Sequence, residues 1–342
     1  MASLPEKKIR NKIMRRRIRF LLMGLLILPT FMCAQLGKGV VDFPLQTRSV
    51  ALGGRNISSP LFSFQNPALG SLLGSQVGLS YLNYYADIRA GQLQGNIPFG
   101  PGNLGIQARY ISFGSMEGYD ELGNYTGSFT AQESILTLGY AHKIEGFSLG
   151  IALKPLLATV QHHQSLAFLV DVGTTFSSPQ KNIVLAAVIK NLGLESTWRG
   201  NWYLYPLDLW AGLSLKPEDL PFQFSFTSHD WLQDLGSYYE AESPVKDHTM
   251  PLSMAARFLN KWVLGIEYFL QDMLIFSVGW NQGQRYTLRL DELSRGVGLS
   301  YGVQFSYQEW RLGMARAHHT IRGGHFQFSL GMNLPSSLNT DS

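Results

Sequence analysis

The chain has 342 residues and a formal net charge of +4, with 45% hydrophobic, 12% aromatic and only 15% charged residues, against about 25% charged in a typical soluble domain. The positive charge belongs to the first stretch, where Lys7, Lys8, Arg10, Lys12, Arg15, Arg16, Arg17 and Arg19 face one acid, Glu6. The rest carries 20 Lys and Arg against 23 Asp and Glu, a net charge of −3. That balance excludes a basic nucleic-acid-binding stripe, and a single cysteine, Cys33, leaves no disulfide.

Residues 1–34 read as a secretory signal peptide. A basic n-region precedes an apolar run from Phe20 to about Met32, interrupted by Gly24 and Pro29. The run is too short for a spanning helix and suits a signal h-region. Ala34 is a plausible last residue of the leader, which starts the mature chain near Gln35. Met32 before Cys33 makes a poor lipidation motif.

Residues 35–74 do not alternate. Ala51-Leu52-Gly53-Gly54 and Asn66-Pro67-Ala68-Leu69 supply turn chemistry around small apolar pieces. About forty such residues before the first strand suit a plug-like segment folded into a lumen, or a periplasmic tail.

From residue 75 the chain changes character. In Leu207–Leu215, the leucines at 207, 209, 213 and 215 and Ala211 share one face, and Asp208, Trp210, Gly212 and Ser214 the other. Phe222, Phe224 and Phe226 alternate with Gln223, Ser225 and Thr227. Val297–Tyr307 and His325–Met332 behave alike. This period-two pattern predicts strands at 75–83, 88–97, 102–114, 132–143, 146–159, 166–176, 181–190, 207–216, 221–229, 261–270, 273–280, 296–306, 310–318 and 324–334. Short connections near Gly100, Glu145, Pro179, Pro217, Gln271 and Gln308 interleave with longer ones at 115–131, 191–206, 230–260 and 281–295, although three connections that the rhythm would make long, 84–87, 160–165 and 319–323, are short. No apolar run after Ala34 reaches the ~18 residues of a membrane helix, so an apolar exterior requires a closed barrel. The fold class is therefore all-β: a transmembrane antiparallel barrel of about fourteen strands over 75–334, with an N-terminal plug-like segment and a periplasmic tail at 335–342. Its short turns would face the periplasm and its long loops the cell surface. Residues 250–258 fit either a fifteenth strand or a short helix, because Pro251, Met254, Ala255 and Ala256 suit a helix.

The chemistry-bearing patterns are weak. Gly298-Leu299-Ser300-Tyr301-Gly302 matches a hydrolase elbow, which needs a strand-to-helix turn, yet it lies inside an alternating run. His162-His163 and His318-His319 sit near strand ends, and adjacent strand residues point to opposite faces. Asp120-Glu121 lacks calcium-loop spacing. No Walker loop or dinucleotide fingerprint is present, and neither cofactor nor metal is implied. The aromatic-rich connections instead suggest recognition surfaces, with Tyr119, Asp120, Glu121, Asn124, Tyr125 and Phe129 in one and Trp231, Tyr238 and Tyr239 in another. Trp198, Trp202, Tyr203 and Tyr205 occupy a third, and an interfacial girdle accounts for part of this aromatic content.

Several stretches resemble the PorQ family, outer-membrane components of the type IX secretion system of Bacteroidetes. They are Asn83-Tyr84-Tyr85-Ala86-Asp87-Ile88, Arg109–Gly114, Tyr119–Phe129, Asn66-Pro67-Ala68-Leu69, Phe226-Thr227-Ser228-His229 and Val278-Gly279-Trp280-Asn281. The resemblance implies a FadL-like barrel of fourteen strands with an N-terminal plug and no activity of its own. It implies membership of an attachment complex that processes secreted cargo and joins it to lipopolysaccharide, with a PorU-like sortase, a PorV-like barrel and a PorZ-like surface protein as partners. The expected function is a non-enzymatic anchor in the outer-membrane lipid. A transporter of hydrophobic small molecules is the alternative, and an outer-membrane enzyme would need a clustered nucleophile and base.

Overall fold

A computed structural model describes residues 40–41, 43–61, 64–84, 87–180, 182–197, 199–232, 258–271, 273–287, 296–320 and 323–335. The leader, Trp198, Tyr238, Tyr239, residues 250–257 and the tail from 336 lie outside them.

Fifteen strands follow the N-terminal segment: β1 Gln76–Asn83, β2 Arg89–Phe99, β3 Gly102–Tyr119, β4 Tyr125–Ile144, β5 Phe147–Val160, β6 His163–Ser177, β7 Ile183–Ser196, β8 Trp202–Leu204, β9 Asp208–Leu215, β10 Phe222–Ser228, β11 Trp262–Leu270, β12 Leu274–Asn281, β13 Leu299–Tyr307, β14 Trp310–Thr320 and β15 Gly323–Asn333. All pairings are antiparallel, and β1 closes on β15 from Gln76↔Asn333 to Asn83↔Phe326. The short β8 pairs only with the far end of β7, while β9 takes the place beside β7 over Ile183–Lys190. The wall is thus a closed barrel of fourteen strands with β8 as an extra.

Each predicted strand is present, with ends within a few residues, except where two connections turn out to be strand. The expected loop 115–131 is largely the continuation of β3 and β4, and 191–206 holds the end of β7 together with β8. Glycines at 114, 118 and 127, a bulge after Ser112 and three acids obscure the alternation there.

The burial pattern inverts that of a soluble sheet. Along β5, Leu149, Ile151, Leu153 and Leu157 point outward and are exposed, whereas Ser148, Ala152, Lys154, Leu156 and Ala158 are buried. Phe224 is exposed on β10 between buried Gln223 and Ser225. An outward apolar band with a polar inward face is what lipid demands of a spanning strand, and the wall strands pair with a neighbour on each side around the closed barrel, with bulges after Ser112 and Val170. The tight turns sit where the sequence placed them. Glu145, Gln271 and Gln308 adopt positive φ (55°, 50° and 51°) in hairpins at one end, the end where β1 begins and β15 finishes.

The N-terminal segment packs against the inward faces. A short helix, α1 (Thr47–Ala51), lies on β12 to β15, and a 3-10 turn (Pro67–Leu72) lies on β3 to β6. Asn66 caps the turn by accepting from Ala68 N at 3.0 Å. After α1 the chain reverses through Gly53 and Gly54, at φ 89° and 85°. Wall glycines make room for this packing. A Cβ on Gly279 would sit 2.1 Å from Gly53 N, and one on Gly150 would sit 2.3 Å from Ala68 N.

Candidate functional site

Two regions depart from a plain barrel: a ribbon at the long-connection end and an interior tied together by polar side chains. The ribbon arises because β3 and β4 outrun their neighbours. The pairing of β2 with β3 stops at Arg89↔Ser112, and that of β4 with β5 at Ala131↔Val160. β3 and β4 continue together from Ser115↔Thr130 to Tyr119↔Tyr125.

A five-residue tip closes the ribbon. Asp120 Oδ1 accepts from Leu122 N (2.9 Å) and Asn124 N (2.8 Å), and its Oδ2 accepts from Asn124 Nδ2 (2.9 Å). Hydrogen bonds from the Asn124 side chain and backbone hold the Asp120 carboxyl below its ordinary pKa. Tyr119 and Tyr125 meet edge to face at 5.9 Å, and Tyr119 Oη donates to Glu117 Oε2 at 2.7 Å. Leu122 at the tip is 87% exposed. Among the predicted recognition residues, Tyr119, Asp120, Glu121, Asn124, Tyr125 and Phe129 therefore share one projecting element. Phe129 stands opposite Met116 lower on the ribbon.

Trp231 is placed elsewhere, after β10. It packs on Phe258 at 5.6 Å, which packs on Trp262 at 4.8 Å, which meets Phe226 at 4.9 Å. This aromatic chain joins the root of the 230–260 connection to the lipid-facing wall. Tyr238 and Tyr239, predicted alongside Trp231, lie outside the described residues.

The interior holds charged residues that the sequence reading passed over. Lys154 Nζ lies 2.5 Å from Asp171 and donates to Asn191 Oδ1 at 2.6 Å. Arg109 donates to the carbonyls of Val40 (3.1 Å) and Phe43 (3.2 Å), while Val40 N donates to Glu133 at 2.7 Å. Arg48 of α1 makes a two-pronged contact with Glu267, at 2.6 and 2.9 Å. The cavity between Arg109, Lys154, Asp171, Lys190 and Trp210 measures about 20 Å³, room for one water.

A further cluster ties the segment to the 230–260 connection. Arg55 pairs with Asp230 at 2.8 Å, His229 Nδ1 lies 2.8 Å from Asp230, and Trp210 Nε1 donates to Asp208. Burial opposes ionisation of Asp230, yet the Arg55 guanidinium and the His229 ring hold its carboxyl well below the usual range. A sequence signal existed for those on the wall, Arg109, Glu133, Lys154, Asp171, Asp208 and Glu267, since an ionisable residue on the inward face of a membrane strand is a functional or structural device by default.

Ser300, the centre of the Gly298–Gly302 pattern, lies within β13 next to Leu299. Its Oγ donates to Ala51 O at 3.0 Å and accepts from Gly53 N at 2.9 Å. The serine fastens the segment. His318 of the second histidine pair meets the Tyr301 ring at a tilt, with centroids 5.7 Å apart. A groove of about 350 Å³ opens beside the seam of β1 and β15, lined by Tyr81, Asn83, Tyr84, His325, Phe326 and Phe328.

No protein-family model and no curated protein matches the sequence. Solved structures do match. The deltaS2 mutant of the TodX monoaromatic hydrocarbon channel superposes with a TM-score of 0.53 at 13% identity, over 86% of this chain and 100% of that one. The TodX toluene transporter of Pseudomonas putida gives 0.49 at 11% identity, over 85% and 97%. A FadL homologue of Pseudomonas aeruginosa gives 0.44 at 12%, over 89% and 99%. At these identities the likeness is one of fold alone, a closed antiparallel β-barrel of the kind seen in the TodX channel.

Proposed function

We propose that this barrel is a non-enzymatic outer-membrane anchor for a surface attachment complex of the type IX secretion system. In this reading the leader is removed near Ala34 and the segment 35–74 plugs the lumen. The short turns face the periplasm, and the ribbon and the 230–260 connection face outward to hold a soluble partner. The resemblance of Tyr119–Phe129 and of the other matching stretches to the PorQ family supports the choice of system. The PorZ-like surface protein, PorU-like sortase and PorV-like barrel follow from that resemblance.

The observation that carries the anchor reading is the ribbon. A two-stranded β-element standing clear of its sheet is marginal alone in water, and this one shows Tyr119, Leu122 and Tyr125 to solvent. The test is gentle purification from native outer membranes followed by mass spectrometry. A sortase and a large surface β-protein in fixed ratio are expected, and both should be lost on deletion of 115–131 with the barrel still folded. Recovery of a lone barrel would overturn the reading.

Transport of hydrophobic solutes is the second reading, and one observation favours it. The groove at the β1–β15 seam links lipid-facing Tyr81, Phe326 and Phe328 to the buried ring of His325, and the fold is shared with a hydrocarbon channel. Uptake of toluene by cells expressing the chain, abolished by filling the groove with Asn83→Trp, would shift the assignment to transport.

A further inference from the structure

We infer that the β3 edge of the ribbon takes up a partner by strand addition, and that the added strand is basic. The inference rests on the reading of this ribbon as a partner surface and specifies how the contact is made.

Backbone direction along the ribbon can be read from one contact. Gln161 N donates to Thr130 O at 2.9 Å, so Thr130 turns its polar groups away from β3 and toward the β5 side. Successive strand residues alternate direction, so Ser128 also faces that outer edge. Its partner across the ribbon is Glu117, whose N–H and C=O therefore face outward on the opposite edge, as do those of Ser115. Above Ser112 no strand among the described residues pairs with that edge. An unpaired edge that also stands clear of its sheet is a template for another strand.

Charge selects both the edge and the partner. Residues 113–131 contain Glu117, Asp120 and Glu121 and no lysine or arginine. Glu117 lies on the β3 side, whereas the β4 edge offers Thr126, Ser128 and Thr130. Opposite charges facing across strands stabilise a pair, and like charges destabilise it. A strand with lysine or arginine at alternate positions meets both requirements, and an acidic strand is repelled.

The experiment uses the full chain in detergent and a short synthetic peptide of alternating valine and lysine, with a valine–glutamate peptide as the control. The lysine peptide should bind, more weakly as salt rises, and the glutamate peptide should not. Glu117→Pro removes an outward N–H without breaking a β3–β4 bond and should weaken binding about tenfold or more, a loss of about 1.4 kcal/mol or more. Ser128→Pro removes the outward N–H of the other edge and should leave binding intact, and Glu117→Gln, which keeps its N–H, separates loss of the charge from loss of the backbone donor. Heat-modifiable gel migration shows that each variant is a folded barrel.

No binding by the folded wild type, or equal loss from both proline variants, overturns strand addition at β3. The same two variants, purified from native membranes, separate this inference from the anchor reading. A native partner lost on deletion of 115–131 but retained by Glu117→Pro leaves the anchor standing and overturns strand addition. Absence of any partner from the wild type overturns the anchor alone, and the peptide arm still decides the edge.

Discussion

Replacing Arg48 by methionine tests what the interior pairs do. Glu267 is 1% exposed and Arg48 13%, and their two contacts, at 2.6 and 2.9 Å, fix α1 to β11. Without the guanidinium, Glu267 keeps only Ser277 Oγ, at 3.1 Å. Stranding one partner of a buried pair costs about 3–5 kcal/mol, whereas replacing both by apolar groups of similar size is often neutral. Arg48→Met should therefore lower stability by about 3 kcal/mol or more, and Arg48→Met with Glu267→Leu should recover most of that loss. There is one way to limit the cost: the segment can detach and let water reach Glu267. A cysteine at Ser59, which is fully buried and hydrogen-bonded to Ser214, reports that detachment in a background lacking Cys33. Chemical unfolding gives the free energies, and thiol labelling shows whether the segment has left. A change below about 1 kcal/mol with the thiol still protected would refute the claim that the pair holds a buried charge. A double variant no better than the single one would refute it equally.

Gly279→Val should expel the segment without disturbing the barrel, because its Cβ meets the backbone of Gly53 rather than a movable side chain; overpacking costs about 1–3 kcal/mol, and the Ser59→Cys label should become reactive. Leu138→Arg places a charge on the lipid face of β4, where Leu138 is 41% exposed; near the bilayer midplane this costs about 2–4 kcal/mol, read from unfolding in lipid vesicles, with Leu138→Met near neutral. The ribbon tip should loosen in acid. Asp120 has a lowered pKa in the folded chain, so its contribution is complete above the unfolded carboxylate pKa and disappears as pH falls through the folded value. Amide exchange at Leu122 and Asn124, corrected for intrinsic rates, should speed up across that acid window in the wild type and be fast at every pH in Asp120→Ala.

The barrel was legible because its two-residue period, which a water-facing sheet also shows, alternates apolar residues with mostly small uncharged ones rather than with the charges of a soluble surface. Asp208–Leu215 shows this directly: Leu209 and Leu215 are exposed while Asp208, Trp210 and Ser214 are buried, as the alternation alone assigns them. Detail was lost where that period weakens. The ribbon reads as loop because glycines and acids replace the apolar face above the wall, where no lipid enforces it. β8 is three residues long, Trp202–Leu204, too short to carry a period at all. Asn66-Pro67-Ala68-Leu69 reads as turn chemistry and is one, a capped 3-10 turn. Where that turn packs depends on glycines about eighty and more residues later, Gly150 and Gly173. Lys154, Asp171 and Glu267 were visible as charges on inward faces, but nothing local names their partners, which lie 17 to 219 positions away for Asp171 and Arg48 respectively.

The interior bears on what the barrel is for. A pore needs its inward side chains available to water or solute. Here many are already engaged by the segment: Arg109 by the carbonyls of Val40 and Phe43, Ser300 by Ala51 and Gly53, Asn281 by Gly53 and Glu267 by Arg48. Gln327 donates to Leu45 O, and Thr47 Oγ1 and Ser329 Oγ meet at 2.5 Å. Opening a passage would forfeit these contacts together, and each hydrogen bond contributes about 0.5–1.5 kcal/mol net, more where a charge is involved. The wall therefore holds its segment through separate fastenings on β3, β11, β12, β13 and β15. A solute passing along the lumen would have to release such fastenings, whereas one entering at the β1–β15 groove would not have to release them all.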